Sequence, residues 1–173
     1  MRVAGFVLIL CALPLLTGCG SDSGSEAERM AEEHEGDTPT ATEAAQAPKI
    51  PVEGRTVTYG QQNGTARTGY LAAPADVDSV RSARGGDALP GIVVIHEWWG
   101  LNDNVRAATR RLAGEGYRAL AVDLYGGAVA ETPDSAQALM GQAMREPSRL
   151  VENVRDGRAY LSSEADAPRT ALL

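Results

Sequence analysis

From residue 55 onward, hydrophobic residues occur in short runs with the spacings typical of strands and helices. Polar and apolar residues alternate over 55–59 and again over 66–72, which predicts two strands. The turn-forming sequence 61–64 lies between them and ends in Asn63-Gly64, a pair suited to positive φ. We therefore predict an N-terminal antiparallel hairpin that ends at Pro74. Residues 76–89 are polar and rich in glycine, and we expect a loop there.

Two continuous runs of mainly apolar residues, 91–96 and 117–122, indicate strands buried on both faces of a parallel sheet. Between them, the apolar spacing at Val105, Ala108 and Leu112 predicts a helix, capped at its start by Asn102 or Asp103. Its arginines are expected to face water; they are Arg106, Arg110 and Arg111. This strand–loop–helix–strand unit predicts a doubly wound α/β sheet.

Two further helices and a last strand are predicted beyond this unit. The first helix covers 133–144, and the second begins at Pro147 and is broken at 167–168. The predicted apolar face of the second helix consists of Leu150, Val151, Val154, Ala159, Tyr160 and Leu161. A strand opens at 169–173, and the sequence stops as its core-facing residues begin. We therefore expect a truncated sequence.

The N-terminus has the features of an export signal. Arg2 precedes a short apolar stretch, 3–16, that is too short for a comfortable membrane-spanning helix. The sequence Leu16-Thr17-Gly18-Cys19 resembles a bacterial lipoprotein box, which implies cleavage after residue 18 and lipidation of the Cys19 thiol. We thus expect an exported lipoprotein of the bacterial cell envelope, anchored to the membrane through Cys19. The alternative is an ordinary secretory signal, or an uncleaved anchor, in which Cys19 is incidental.

Charge is distributed unevenly along the chain. The formal net charge is -7, and residues 20–50 hold eight acidic residues against Arg29 and Lys49. Residues 51–173 hold 13 arginines and 15 acidic residues, so the folded part is nearly neutral and has no basic nucleic-acid footprint. We predict that 19–50 is a disordered acidic tether, within which a short helix around 26–35 is possible. His34 lies in this acidic run, where a solvated histidine is a better interpretation than a metal ligand.

Two motifs carry a family resemblance. Residues 96–102 read HEWWGLN, and residues 116–127 read GYRALAVDLYGG. Their pairing at this spacing resembles the dienelactone hydrolase family, and the resemblance covers roughly 55–173. It implies an α/β-hydrolase fold with a Cys, sometimes Ser, nucleophile on a sharp strand-to-helix elbow. Thr170-Ala171-Leu172-Leu173 looks like the opening of the nucleophile strand, so the domain 51–173 is expected to be partial, cut before that elbow.

The resemblance also implies roles for individual residues. Glu97 matches a carboxylate that contacts the nucleophilic thiol and helps to activate it, and we expect it to be buried; the alternative is a structural carboxylate paired with an Arg or a backbone amide. The Trp98 backbone N–H would form half of an oxyanion hole. Trp99 and Tyr125 are candidates for lining the substrate pocket or for core packing. We interpret Asp123 as capping a turn.

The family's nucleophile, triad acid and triad base match no residue of this sequence. His96 is not a substitute for the base, because it lies at a strand end and not in a late loop. The arginines with which the family binds a substrate carboxylate also have no clear match, and Arg145 is merely nearby in sequence. The predicted function is therefore hydrolysis of small esters or lactones, with no cofactor or metal. The alternative is a catalytically inactive, lipid-anchored binding module or a truncated remnant.

Overall fold

A computed structural model describes residues 47–173 and, before them, Arg29, Glu32, Glu33 and 35–37. The predicted signal 1–18, Cys19 and most of the predicted tether lie outside the described residues. Arg29, Glu32 and Glu33 are helical, within the region 26–35 in which the sequence allows a short helix. In the part of the chain that is described, no helix combines the length and the apolar character needed to cross a bilayer.

Contacts with the folded domain begin a few residues before the first strand. The Lys49 Nζ lies 2.9 Å from a carboxylate oxygen of Glu115, and Pro48 lies close against Gly114. Just after them, the Pro51 carbonyl accepts a hydrogen bond from Ala75 N–H at 3.0 Å. The end of the predicted tether is therefore held against the domain.

The predicted hairpin is present, with longer strands than the alternation indicates. Strand β1, Val52–Gln62, pairs antiparallel with β2, Thr65–Pro74. Asn63 and Gly64 connect them with φ of 49° and 79°, the left-handed conformations expected of an Asn-Gly turn. A register shift between Thr58 and Gly60 is a β-bulge, and Val57 and Tyr59 on either side of Thr58 are both buried.

The hairpin forms one side of a five-stranded sheet with strand order β1-β2-β4-β3-β5. Strands β3, Gly91–Ile95, and β4, Arg118–Val122, are parallel to each other. Strand β5, Thr170–Leu172, is parallel to β3, and β2 is antiparallel to β4. The two predicted buried strands thus lie at the centre of the sheet.

Helices cover both faces of this sheet, as predicted for a doubly wound α/β fold. Helix α2, Asp103–Gly114, connects β3 to β4, and the Asn102 side chain caps it by accepting from Val105 N–H at 3.1 Å. It packs on one face, around Val94, Leu101, Ala119 and Ala121. Helix α4, Pro147–Ser163, packs on the other face, around Leu71, Val93, Leu120 and Leu161. Helix α3, Pro133–Ala143, precedes it, and its Ala136 lies in a third apolar cluster with Trp99.

One predicted loop contains a helix. Within 76–89, residues Val77–Ala83 form helix α1, and the Asp76 carboxylate caps it by accepting from Ser79 N–H at 2.9 Å. None of its residues is buried. The prediction of a loop was wrong because an exposed helix has no apolar stripe by which its sequence could reveal it.

The prediction that the arginines of α2 face water is wrong for Arg106 and Arg110. The Arg110 guanidinium donates to the Val52 carbonyl at 3.1 Å and to the Tyr70 hydroxyl at 3.4 Å. The Arg106 guanidinium lies 5.2 Å from the centre of the Tyr70 ring. Both arginines are half-buried, because the hairpin extends beneath the helix face that the sequence assigns to solvent.

The apolar face predicted for α4 is also partly wrong. Val151 and Ala159 are exposed, whereas Asn153, Gly157 and Leu161 are the buried residues of this helix. A polar side chain and a glycine thus occupy the centre of the packing face. Their spacing of four residues is helical, but apolar periodicity alone does not select them.

Asn153 belongs to a buried hydrogen-bonded group that joins β1, β4 and α4. The Tyr59 hydroxyl donates to Asn153 Oδ1 at 2.5 Å and accepts from Asp123 N–H at 3.2 Å. Asn153 Nδ2 donates to the Asp123 carbonyl at 2.9 Å. Every polar atom that these contacts bury has a partner, as burial requires.

Replacing Tyr59 with Phe tests this group. Asn153 and the Asp123 amide would lose a buried partner, so we expect Tyr59→Phe to lower the free energy of unfolding by about 1–3 kcal/mol in urea denaturation. Tyr160→Phe is the control, because Tyr160 packs on the same apolar cluster and its hydroxyl has no hydrogen-bond partner among the described residues. Equal losses in the two variants would contradict this role for Tyr59.

The burial of Tyr59 also predicts that its contribution to the unfolding free energy depends on pH. Burial raises the pKa of Tyr59 above its ordinary value of 10.0, so the folded state keeps the hydroxyl protonated at a pH where the unfolded chain ionises it. The stability that Tyr59 contributes is complete below pH 10 and declines as the pH rises above that value. The difference in unfolding free energy between wild type and Tyr59→Phe should therefore shrink above pH 10. A constant difference would contradict the assignment.

Candidate active site

The loops that leave the carboxyl ends of β3 and β4 are joined by the His96 imidazole. Leu124 N–H donates to His96 Nε2 at 3.1 Å, and His96 Nδ1 lies 2.6 Å from the Glu97 carbonyl. Because Nε2 accepts, Nδ1 carries the proton and donates to Glu97. The His96 ring is buried and lies edge-on to the Tyr125 ring, with 4.6 Å between the two ring centroids. Both nitrogens are committed to backbone groups, so His96 holds the loops together, in agreement with its exclusion as the base.

A second set of contacts fixes the loop after β3. Ala130 N–H donates to the Trp99 carbonyl at 2.9 Å, and Gly100 N–H donates to the Glu97 carbonyl at 3.2 Å. Gly100 has a φ of 89°, and a Cβ at this position would lie 2.6 Å from the Ala128 carbonyl oxygen. Only glycine fits this turn, since a side chain would meet both the strain of positive φ and the opposite loop.

The loop after β4 is folded around the Asp123 carboxylate, as predicted. This carboxylate accepts from Tyr125 N–H at 2.9 Å and from Gly127 N–H. Gly126 and Gly127 both have positive φ, which lets the backbone curl around the acceptor. Asp123 is therefore a turn-forming residue whose carboxylate is occupied by its own loop.

Glu97 lies where the sequence places it but is not buried. Its position is two residues beyond Ile95, the last residue of β3, and its side chain is exposed. The expectation of a buried carboxylate is therefore wrong. The alternative of a structural ion pair also has no support, because no described residue pairs with this carboxylate. The backbone of Glu97, in contrast, is fixed, since its carbonyl accepts from both His96 and Gly100.

The two tryptophans have different surroundings. Trp99 is buried against Ala130, Ala136 and Leu139, so its side chain packs in an apolar cluster. Trp98 is half-buried, with its ring 5.1 Å from that of Trp99. Trp99 thus packs in the interior of the described domain, while Trp98 stays at the loop surface beside Glu97.

Tyr125 lines a cavity of about 340 Å³ beside the carboxyl end of β4. Burial raises the pKa of its hydroxyl, which favours the neutral form. The cavity lies between the hairpin turn, the loop after β4 and helices α3 and α4. Its remaining lining residues are Gln62, Leu124, Leu139, Gln142, Ala143, Arg145, Glu146, Arg149, Leu150 and Asn153.

Most of these lining residues were not found from the sequence, because they come from four separate elements. One signal was present: Asn153 is a polar residue at a core position of a helix, and such residues are held by specific partners. Arg145 was noted only as a neighbour in sequence, and the structure places it in the same cavity as Tyr125. Glu146 pairs with Arg149 there, at 2.5 Å, so Arg149 is not a free cation.

The carboxyl end of β5 meets the same edge of the sheet. Leu173 N–H donates to the Val93 carbonyl at 2.9 Å, and Ile95 N–H donates to the Leu173 carbonyl at 2.8 Å. The backbone of Leu173 thus lies beside Ile95, the residue of β3 that precedes Glu97 by two positions in the sequence. Open α/β sheets place their ligands at this edge.

No three His, Cys, Asp or Glu side chains converge on a common point within the described ranges. His34 lies outside those ranges. The described site offers a carboxylate, backbone amides and an adjoining cavity.

Comparison with known proteins gives a consistent result. The model of the "Dienelactone hydrolase family" matches residues 68–170. "Protein usf" of Aquifex pyrophilus is 41% identical over 83 residues, which cover 46% of this chain and 31% of the relative. An Aquifex aeolicus protein provisionally named as a carboxymethylenebutenolidase is 33% identical over 97 residues, which cover 54% of this chain and 37% of that protein.

A solved structure named m3DLH superposes with a TM-score of 0.58 and 27% identity, covering 70% of this chain and 48% of that structure. The matches to the two Aquifex proteins span only 31% and 37% of those proteins' lengths. The similarity includes strands β3 and β4 and both loops at their carboxyl ends.

The His96 link predicts a specific loss of order. In His96→Phe, Leu124 N–H and the Glu97 carbonyl would lose a buried partner, so we expect the unfolding free energy to fall by about 1–3 kcal/mol. Hydrogen exchange at the Leu124 amide should accelerate more than the exchange in β3. Glu97→Gln is the matched control, because its side chain is exposed and its stability should stay within about 0.5 kcal/mol of wild type. An unchanged Leu124 exchange rate in His96→Phe would disprove the link.

Proposed function

Because the chain belongs to the dienelactone hydrolase family, we propose that the complete protein hydrolyses small esters or lactones at the edge of the sheet where β3, β4 and β5 end. The observation that carries this proposal is the position of Glu97 and Trp98. They lie at the carboxyl end of a central parallel strand, on a loop whose backbone is fixed by His96. The provisional name of the Aquifex aeolicus relative, a carboxymethylenebutenolidase, supports an ester or lactone as substrate.

In this proposal Glu97 activates a nucleophile carried just past β5. The family implies a Cys or Ser nucleophile, and a thiol needs an acceptor or a neighbouring charge to react as a thiolate near neutral pH. An exposed carboxylate on a fixed backbone can accept a hydrogen bond from such a group without first breaking an ion pair. The nucleophile, the acid and the base of the triad are assigned to no residue of this sequence.

Trp98 contributes its backbone N–H to the oxyanion hole in the same proposal. The attack of the nucleophile on the ester carbonyl places negative charge on the oxygen, and a prealigned amide stabilises that charge. The Trp98 amide follows Glu97 directly, so an acceptor for the nucleophile and a donor for the oxyanion would lie side by side. The hydrogen bonds around Glu97 and Gly100 fix this backbone before substrate binds.

The cavity beside Tyr125 is proposed to receive the part of the substrate that does not react. At about 340 Å³ it lies near the small end of ligand pockets, which favours small esters or lactones. Its apolar part comes from Leu124, Leu139 and Leu150. Tyr125 is thus the described residue that links the proposed reaction centre to the proposed pocket.

The test of the catalytic role uses the complete protein and p-nitrophenyl acetate. In Glu97→Gln we expect kcat to fall by roughly 10- to 100-fold with little change in stability, in the range of a lost acid–base group. Glu131→Gln is the matched control, since Glu131 is also exposed but precedes α3 and lies outside the proposed site. Unchanged turnover in Glu97→Gln would remove Glu97 from the mechanism. A wild type without activity on any ester or lactone would favour the inactive binding module.

We further propose that the protein is a lipoprotein, anchored to the membrane through Cys19. The support is the sequence alone: a positive residue, a short apolar stretch and Leu16-Thr17-Gly18-Cys19. Acyl chains bind a bilayer with roughly 0.8 kcal/mol per buried methylene, so several chains would hold the domain durably.

Replacing the lipidated residue tests this anchor. Cys19→Ser should move most of the protein from the membrane pellet to the soluble fraction of an expressing bacterium. Cys11→Ser is the control, because Cys11 lies within the apolar stretch of the signal and should not alter membrane attachment. Retention of Cys19→Ser in the pellet would exclude anchoring through this residue.

A further inference from the structure

A second cavity lies at the opposite end of the sheet from the candidate active site. It has a volume of about 510 Å³ and is formed where β1 begins, β2 ends and β4 begins. Its floor and walls include Leu71, Pro74 and Val77, and Arg118 also lines it. Its size lies within the range of small-molecule sites, which combine an apolar lining with a few polar groups.

The Arg118 side chain is half-buried beside this cavity. It makes no hydrogen bond or ion pair with a described residue, and its Nε is buried without a hydrogen-bond acceptor. A buried N–H donor without an acceptor is costly, so the Arg118 Nε favours a ligand that supplies one. The Nε atoms of Arg81 and Arg67 also lack an acceptor, but those guanidiniums form ion pairs with Asp166 and Asp156, and that of Arg118 forms none with a described residue.

The surroundings of Arg118 disfavour an unpaired cation. Burial lowers the pKa of Arg118, and the nearby charges of Arg81 and Arg55 lower it further, while Asp166 and Asp78 oppose them. Of the residues that line the cavity, Arg118 and Arg55 are cationic and Glu53 is anionic. The lining residues by themselves therefore carry one net positive charge, and Arg81, Asp78 and Asp166 lie outside the lining.

From this cavity and its unpaired guanidinium, we propose a second ligand site that binds a small monocarboxylate with an apolar body. The carboxylate pairs with Arg118, whose planar fork of N–H donors matches two carboxylate oxygens. The apolar body lies on Leu71, Pro74 and Val77. A phosphate is a poorer match, because its second negative charge would meet Glu53 without a cation to balance it.

The site is separate from the proposed reaction. Arg118 begins β4, whereas Asp123 and Tyr125 follow the other end of that strand, and none of the residues that line this cavity lines the one beside Tyr125. Binding here is therefore measurable without turnover, and it stands or falls independently of the proposed hydrolase.

Isothermal titration of the full-length chain with octanoate tests this site. We expect saturable binding that weakens at least about tenfold in Arg118→Gln, the size of one lost charge-assisted hydrogen bond. Arg158→Gln, an exposed arginine of α4, should bind as wild type does. Arg145→Gln should also retain binding, which separates this site from the cavity beside Tyr125.

Two further ligands test whether the site recognises the carboxylate of octanoate. 1-Octanol keeps the apolar body and lacks the carboxylate, so it should bind at least about tenfold more weakly than octanoate. Inorganic phosphate should not compete. The proposal is overturned if octanoate does not bind wild type, if it binds Arg118→Gln equally well, or if only Arg145→Gln loses binding. It is also overturned if octanol binds as tightly as octanoate, or if phosphate displaces octanoate.

Circular dichroism melting of each variant shows that a loss of binding is not a loss of fold. Arg118→Gln removes an unpaired cation, so we expect its Tm to equal or exceed that of wild type. Octanoate should raise the Tm of wild type and leave that of Arg118→Gln unchanged. If Arg118→Gln unfolds, Arg118→Lys serves instead: it keeps the charge without the fork, and binding equal to that of wild type would overturn the proposed pairing.

Discussion

The structure depends on satisfying the backbone at the carboxyl ends of β3 and β4, where the chain leaves the sheet but remains buried. A buried N–H or carbonyl without a partner is costly, and regular pairing between strands stops at these residues. Side chains supply the missing partners: His96 bridges the Glu97 carbonyl and the Leu124 amide, and Tyr59 and Asn153 satisfy both backbone groups of Asp123. The outer hairpin and helix α4 are thereby joined to the centre of the sheet.

The pairing of these side chains with the loop backbone has a direct consequence for the proposed chemistry. The groups that hold the loops are occupied by backbone contacts, so His96 and Asp123 are committed to structure. Glu97 differs from them, because its backbone is fixed while its carboxylate is exposed. In the proposed mechanism, this fixed backbone places an uncommitted carboxylate beside the end of a neighbouring strand.

The predictions from sequence failed where a partner distant in sequence decides a residue's environment. Arg110 was assigned to solvent from helical spacing, but the hairpin supplies a carbonyl and a hydroxyl beside it. Asn153 was absent from the predicted face of α4, although it is buried against Tyr59. Helix α1 was missed for the opposite reason, since it has no buried residue and so leaves no apolar pattern. For Arg110 and Asn153, the deciding contact joins segments that the sequence keeps apart.

By itself, the sequence determined the doubly wound α/β fold, the Asn-Gly hairpin, the turn around Asp123 and the family, because strand periodicity, turn chemistry and short motifs are local properties. It also placed Glu97 and Trp98 at the carboxyl end of a central strand. Only the tertiary structure decided that Glu97 is exposed, that Trp99 is a core residue and that Tyr125 and Arg145 share a cavity. It alone left Arg118 unpaired beside a second cavity. Burial, pairing and cavities arise from elements that meet only when the chain folds, and no local pattern encodes them.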